Sequence, residues 1–195
     1  MDELQELILE SKNIFEEKAS NIDQDKFLIV QPAKQLLYLV INNLVNSTYN
    51  ISTSKYGLGN KNESFQTPTG IHYIAKKIGD NAPKNTIFKG RKIFLDNLTT
   101  DDLGEIRYSK IKQKYFKDNE DIITSRIMWL KGHEEGINQG GNVDSYSRYI
   151  YIHGTIHEGL IGKEASHGCV RMKNDDVIEL YDKVTENTLV RILDN

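Results

Sequence analysis

Short β-prone runs recur from Lys26 to Leu193, and most are separated by Gly, Asn or Asp. This spacing predicts a mainly β fold with few helices. The first two strands are the clearest, since Phe27–Val30 and Gln35–Ile41 flank a turn that contains proline. The remaining strands are predicted at 44–53, 70–75, 87–95, 125–130, 148–153 and 189–193.

Two helices complete the prediction. Apolar residues between 3 and 18 recur at helical spacing, which predicts an amphipathic N-terminal helix that docks on the main body. Asn174 is predicted to cap a second helix, because Asp175 and Asp176 follow it and Val177 begins an apolar stripe. We therefore divide the chain into an N-terminal helical segment, 1–25, and a catalytic body, 26–195. The polar stretch 96–124 reads as an insertion or a lid.

Composition excludes several classes of function. The 195 residues carry 25 Lys and Arg against 28 Asp and Glu, and no basic field is available to bind nucleic acid. The longest apolar runs are too short to span a membrane, and the first ten residues do not resemble a secretory signal. We expect a cytoplasmic location if Met1 is the native start, and a periplasmic or cell-wall location if a leader has been removed.

The only cysteine, Cys169, stands in the sequence Ser-His-Gly-Cys-Val-Arg, which begins at Ser166. A catalytic thiol needs a base nearby, and His167 is two residues away. Gly168 leaves room for a substrate carbonyl, so the amides of Gly168 and Cys169 are candidates for an oxyanion hole. An isolated cysteine is more often buried and inert, but the flanking His and Gly favour a catalytic one.

A second histidine lies upstream in the alternating segment Tyr149–His153. Ile150 and Ile152 are predicted to face the core, while Tyr149, Tyr151 and His153 share the opposite, polar face. His153 is therefore a candidate general base, and His167 remains an alternative.

These segments resemble the L,D-transpeptidase (YkuD-type) family, over residues 26–193. The resemblance rests on His153-Gly154-Thr155 followed by the Ser166 to Arg171 motif. It implies a mixed β-sheet or sandwich cradle and a cysteine enzyme that acts on peptidoglycan stem peptides or muropeptides without a cofactor. In the mechanism that the resemblance implies, Cys169 would attack the carbonyl of the L-centre of the third stem residue, expel the terminal D-Ala and leave a thioester.

The resemblance also assigns roles to individual residues. His153 would take the thiol proton, the Gly154 carbonyl would orient the imidazole, and His167 would support the loop. Arg171 would bind a stem carboxylate or form an internal ion pair. Further substrate contacts are predicted for Ser166, Tyr149 and Tyr151, and carbapenem-type β-lactams are expected to acylate the thiol.

Three alternatives remain open. Water as acceptor makes the protein an L,D-carboxypeptidase, and an amine makes it a transpeptidase; hydrolysis is favoured if no leader exists. A zinc hydrolase could use His153, His157, His167 and Cys169 as ligands. A peptidoglycan-binding domain that has lost catalysis is the third alternative.

Overall fold

A computed structural model describes residues 2–96, 113–116 and 121–194 of the chain. Within these residues there are two longer helices, α1 (Glu3–Lys18) and α2 (Asn174–Lys183). The strands are β1 (Lys26–Gln31), β2 (Leu36–Ile41), β3 (Leu44–Ser52), β4 (Gly70–Ile78), β5 (Ile87–Lys89), β6 (Lys92–Leu95), β7 (Ile123–Gly132), β8 (Tyr151–Thr155), β9 (Val170–Met172) and β10 (Leu189–Ile192).

All ten strands belong to one mixed sheet, in the order β4-β10-β1-β2-β3-β9-β8-β7-β5-β6. An additional pairing of β4 with β7 closes eight of these strands into a ring. Most neighbours are antiparallel, but β8 and β9 run parallel, with His153 opposite Arg171. The mainly β fold with a mixed sheet is therefore confirmed.

Strand β1 has apolar side chains on both faces because both faces are covered. Leu28 and Val30 contribute to a core that also contains the apolar side of α2. Phe27 and Ile29 contribute to a second core, against α1. The uninterrupted apolar run in the sequence thus belongs to a strand between two layers.

Helix α1 has the predicted bounds and packs on the sheet through Ile8 and Phe15, which are buried. Asp2 caps it by accepting a hydrogen bond from the amide of Gln5. The interpretation of this segment as a docking helix is confirmed.

The cap of α2 was predicted wrongly. Lys173 is the N-cap residue, and Asn174 lies inside the helix. The Asn174 side chain instead accepts hydrogen bonds from Thr124 and Ser125. Glu158 caps the N-terminus of α2 instead, since its carboxylate accepts a hydrogen bond from the backbone amide of Asn174 at 2.7 Å.

Several strands also differ from the prediction, and β4 and β7 are longer than expected. The 87–95 segment forms two strands, because Gly90 and Arg91 have positive φ and make a turn. Strand β8 begins at Tyr151, since Tyr149 has φ of 58° and belongs to the preceding turn. The short strand β9, directly after Cys169, was missed because three residues give too little periodicity to detect.

Residues 97–112 and 117–120 of the predicted insertion or lid lie outside the described residues. Of the rest, Phe116 is buried beside Ile87 and Ile122. Among the described parts of the chain, no helix is long and apolar enough to cross a membrane.

Candidate active site

His153 lies in β8 and is fully buried. Its Nδ1 donates a hydrogen bond to the carbonyl oxygen of Gly154 at 2.8 Å. A carbonyl can only accept, so this contact assigns the proton of the neutral ring to Nδ1 and leaves a lone pair on Nε2. Within the described residues, Nε2 has no hydrogen-bond partner. The ring is therefore held in the tautomer that a general base requires.

Gly154 is fixed by the close approach of its neighbours. A β-carbon at this position would lie 2.6 Å from the carbonyl oxygen of Thr124 and 2.8 Å from Oδ1 of Asn174. Glycine is needed here because any side chain would push the strand away from β7 and α2. The Gly154 carbonyl, which accepts the hydrogen bond from the His153 ring, therefore belongs to a tightly packed residue.

The loop before Cys169 is closed by Ser166, which is buried. Its hydroxyl donates to the carbonyl of Cys169 at 2.6 Å and accepts from the amide of Gly168 at 3.3 Å. Gly168 has φ of 124°, a conformation that favours glycine. Since the Gly168 amide is engaged by Ser166, the Cys169 amide becomes the stronger candidate for an oxyanion donor.

Cys169 stands beside β8, one residue before β9. The amide of Tyr151 donates to its sulfur at 3.4 Å, and the thiol donates to the carbonyl of Tyr149 at 3.4 Å. Cys169 is half-buried, so a substrate has access to the residue. The parallel register pairs Ile152 with Val170 and His153 with Arg171, so Cys169 directly precedes the strand that neighbours the one holding His153. Their joint catalytic role stays a prediction.

The electrostatic environment keeps both groups neutral at rest. Burial raises the pKa of the Cys169 thiol to about 12, although the Tyr151 amide opposes this shift. Burial also lowers the pKa of His153, with Asp121 and the Gly154 carbonyl acting in the opposite direction. The pair is therefore a protonated thiol and a neutral imidazole at neutral pH, and deprotonation has to accompany attack.

Arg171 is buried in an ion pair that was one of its two predicted roles. Its Nε donates to Oδ2 of Asp121 at 2.5 Å, and its Nη1 donates to the carbonyl of Ala165 at 3.1 Å. The same Asp121 oxygen lies 3.6 Å from Nε2 of His153. Sequence reasoning missed Asp121, because it lies within the polar 96–124 stretch and no motif surrounds it.

The other predicted site residues divide into buried and exposed ones. Tyr151 is buried and accepts a hydrogen bond from Arg91 at 3.3 Å. Tyr149 is 51% exposed, in the turn outside the strand. His167 lies among aromatic rings, with its centroid 5.9 Å from that of Tyr56 and 6.4 Å from that of Phe65. The roles of these residues in substrate binding and loop support stay predictions.

The four zinc ligands of the metal hydrolase alternative do not form a metal centre. Across residues 2–96, 113–116 and 121–194, no group of three or more His, Cys, Asp or Glu side chains is placed to bind a metal ion.

The fold defines a class of protein, a mostly β domain in which Cys169 directly precedes β9, the parallel neighbour of the strand that holds His153. A family model described as the L,D-transpeptidase catalytic domain (YkuD) matches residues 25–192. The chain belongs to this family.

Individual relatives match shorter stretches. A putative L,D-transpeptidase, YqjB of Bacillus subtilis, is 46% identical over 48 residues, 25% of this chain and 27% of the relative. A second, YkuD of the same organism, is 43% identical over 60 residues, 28% of this chain and 37% of the relative. These matches span about a quarter to just over a third of the relatives' length.

Solved structures share the fold at low sequence identity. An L,D-transpeptidase from Mycobacterium smegmatis has a TM-score of 0.52 at 14% identity, covering 87% of this chain and 58% of that one. L,D-transpeptidase 3 from Mycobacterium tuberculosis, in complex with a faropenem-derived adduct, has a TM-score of 0.51 at 12% identity, covering 86% and 60%.

Proposed function

We propose that the protein is a cysteine acyltransferase that acts on peptidoglycan stem tetrapeptides at the bond before the terminal D-Ala. The observation that carries the proposal is the fixed tautomer of His153, which leaves a lone pair on Nε2. His153 lies in β8, and the Tyr151 amide of the same strand donates to the sulfur of Cys169 at 3.4 Å. Membership of the L,D-transpeptidase family supports the substrate class.

In the first half-reaction, Nε2 of His153 takes the thiol proton as the sulfur of Cys169 attacks the carbonyl carbon of the third stem residue. The oxyanion accepts a hydrogen bond from the Cys169 amide. The carbon–nitrogen bond to D-Ala then breaks, and the imidazolium returns its proton to the leaving amine. A thioester on Cys169 and free D-Ala result.

In the second half-reaction, water or an amine attacks the thioester. His153 takes a proton from this nucleophile, the carbon–sulfur bond breaks, and the thiolate is reprotonated. Water yields a tripeptide, which makes the protein an L,D-carboxypeptidase. A stem-peptide amine yields a cross-link, which makes it a transpeptidase.

The test is the release of D-Ala from a soluble tetrapeptide with diaminopimelate at the third position, with and without an amine acceptor. We expect D-Ala from the wild-type protein and none from Cys169→Ala, which should remain folded because the change is small. Mass spectrometry of the second product identifies the acceptor. Equal release by the Cys169→Ala variant would overturn the proposal and would indicate a thiol-independent enzyme, whereas release by neither protein would favour the non-catalytic alternative.

The proposed thiol chemistry extends to β-lactams. One structural relative, from Mycobacterium tuberculosis, is described with a faropenem-derived adduct. Opening of a β-lactam ring by Cys169 joins the whole inhibitor to the sulfur, so a carbapenem should add its own mass to the protein. An unchanged mass after incubation would contradict this extension.

A further inference from the structure

The segment that leads into β7 brings a carboxylate to the candidate site that no motif predicts. Asp121 lies two residues before β7, and its Oδ2 is 2.5 Å from Nε of Arg171 and 3.6 Å from Nε2 of His153. The Asp121 side chain is 15% exposed, that of Arg171 is 4% exposed and that of His153 is fully buried. One oxygen therefore lies between a buried cation and the imidazole nitrogen that carries the lone pair.

The interaction of Asp121 with the ring depends on protonation. In the neutral ring, Nε2 and the carboxylate oxygen are both acceptors, and at 3.6 Å they form no hydrogen bond. When Nε2 takes a proton, it becomes a positively charged donor that faces a carboxylate. Asp121 thus interacts more favourably with the imidazolium than with the neutral imidazole, which is the difference that accelerates a reaction.

The positive charge of Arg171 gives the Asp121 carboxylate a second role in the protonation of His153. A guanidinium stays charged when buried, and Arg171 is paired with His153 across β8 and β9. Without Asp121, this cation would oppose the formation of a second positive charge on the ring. Asp121 compensates Arg171 and removes that opposition.

We propose that Asp121 is a positioning residue for the acyl transfer, which holds Arg171 and stabilises the imidazolium that His153 becomes when it takes the thiol proton. The proposal rests on the proposed function of Cys169 and His153. It extends the site beyond the histidine and cysteine segments to the end of the 96–124 stretch.

Several charged or titratable groups face this pair. Asp121 and Arg171 act on the ring of His153. The sulfur of Cys169 contacts the amide of Tyr151, which lies in β8 with His153. Arg148, in the turn before β8, also acts on Cys169. Asp121 raises the pKa of both His153 and Cys169, whereas Arg171 lowers both. Removal of the Asp121 charge should therefore move both titrations to lower pH.

The test compares Asp121→Asn with Asp175→Asn. Asp175 also forms an ion pair, 2.6 Å from Lys84, but its side chain is 77% exposed and lies outside the site. For Asp121→Asn we expect kcat for D-Ala release to fall at least about tenfold, in line with a lost charge interaction in the transition state, while KM stays within about twofold. The pH dependence of Cys169 alkylation by iodoacetamide should shift to lower pH. Asp175→Asn should match the wild type in all three.

Unchanged kcat and an unchanged pH dependence in Asp121→Asn would overturn the proposal. If this variant does not fold, the double variant Asp121→Asn, Arg171→Met removes both charges together. The comparison that isolates Asp121 is with Arg171→Met, which removes the cation alone. If the Asp121 charge acts on the thiol, the double variant is alkylated at lower pH than Arg171→Met, and identical profiles of these two variants would overturn the proposal.

Failure of the proposed function gives a different result. A wild-type protein that releases no D-Ala with either water or an amine contradicts the acyl transfer. The alkylation profiles still report whether the Asp121 charge acts on the thiol and the imidazole, since that measurement needs no peptide substrate.

Discussion

Two buried histidines, His72 in β4 and His153 in β8, have almost the same surroundings on one side of the ring. Each is fully buried, and each donates from Nδ1 to a glycine carbonyl, Gly70 at 3.1 Å and Gly154 at 2.8 Å. They differ at Nε2. His72 accepts a hydrogen bond there from Ser145 at 2.9 Å, whereas Nε2 of His153 faces Asp121 at 3.6 Å without a hydrogen bond.

This difference shows that burial and a lowered pKa do not by themselves define a catalytic histidine. Burial lowers the pKa of both rings, that of His72 to about 4. Of these two rings, only that of His153 has a lone pair that is not used by the fold, and the thiol of Cys169 directly precedes β9, the strand that neighbours β8. The functional interpretation therefore rests on the unused lone pair on Nε2 of His153.

Replacement of each histidine by glutamine should have the largest and most divergent effects. His153→Gln should lower kcat for D-Ala release by about 10²–10⁴, because general base catalysis is lost. His72→Gln should lower the free energy of unfolding by about 1–3 kcal/mol, because buried hydrogen bonds are lost, and leave kcat of the folded protein within about twofold. Kinetics and urea unfolding of both variants check this. Equal kinetic losses in the two variants would remove the distinction.

Acid should destabilise the protein through His72. Its pKa is lowered from 6.5 to about 4, so between these values the unfolded chain binds a proton that the folded chain does not. The free energy of unfolding should therefore fall as pH decreases from 6.5 to 4, by about 3 kcal/mol from this residue. The stability difference between wild type and His72→Gln should shrink over this range. A difference that is constant with pH would contradict the assignment.

Gly154→Ala tests the anchor of the His153 ring. The added β-carbon meets the Thr124 carbonyl at 2.6 Å, so the strand has to shift and the free energy of unfolding should fall by about 1–3 kcal/mol. The shifted carbonyl should also lower kcat, by about tenfold or more. Gly159→Ala is the matched control, since nothing lies within 4 Å of its added carbon. Wild-type kinetics in Gly154→Ala would show that the carbonyl does not orient the base.

Ser145→Ala should have the smallest effect and makes His72 resemble His153. It removes the hydroxyl from Nε2 of His72 and should cost about 1–2 kcal/mol, because a buried acceptor loses its partner. Activity should not change, since no thiol adjoins His72. Ser147→Ala, at an exposed position, is the control and should leave the unfolding free energy nearly unchanged. A kinetic loss in Ser145→Ala would connect His72 to the site.

Sequence reasoning found the features that depend on local patterns. The alternation around Ile150 and Ile152 predicted correctly that both face the core, and the spacing from Leu4 to Phe15 predicted α1. The His-Gly-Thr segment and the Cys169 loop also led to the choice of His153 and Cys169 as the catalytic pair, which stays a prediction.

What the sequence could not provide depends on contacts between distant segments. Asp121 is 50 residues from Arg171, and their ion pair exists only because β7, β8 and β9 are neighbours. Asn174 looked like a helix cap because its local sequence fits one, but its side chain is used across the fold by Thr124 and Ser125. Local patterns carry no information about such partners.

The most direct measurement is intact-protein mass spectrometry of the wild-type protein and Cys169→Ala, quenched in acid soon after mixing with the soluble tetrapeptide. The account predicts that the wild-type protein gains the mass of the peptide less that of D-Ala, that digestion locates this acyl group on Cys169, and that the alanine variant gains nothing. D-Ala release without any acyl group on Cys169, or the same adduct on the alanine variant, would contradict it.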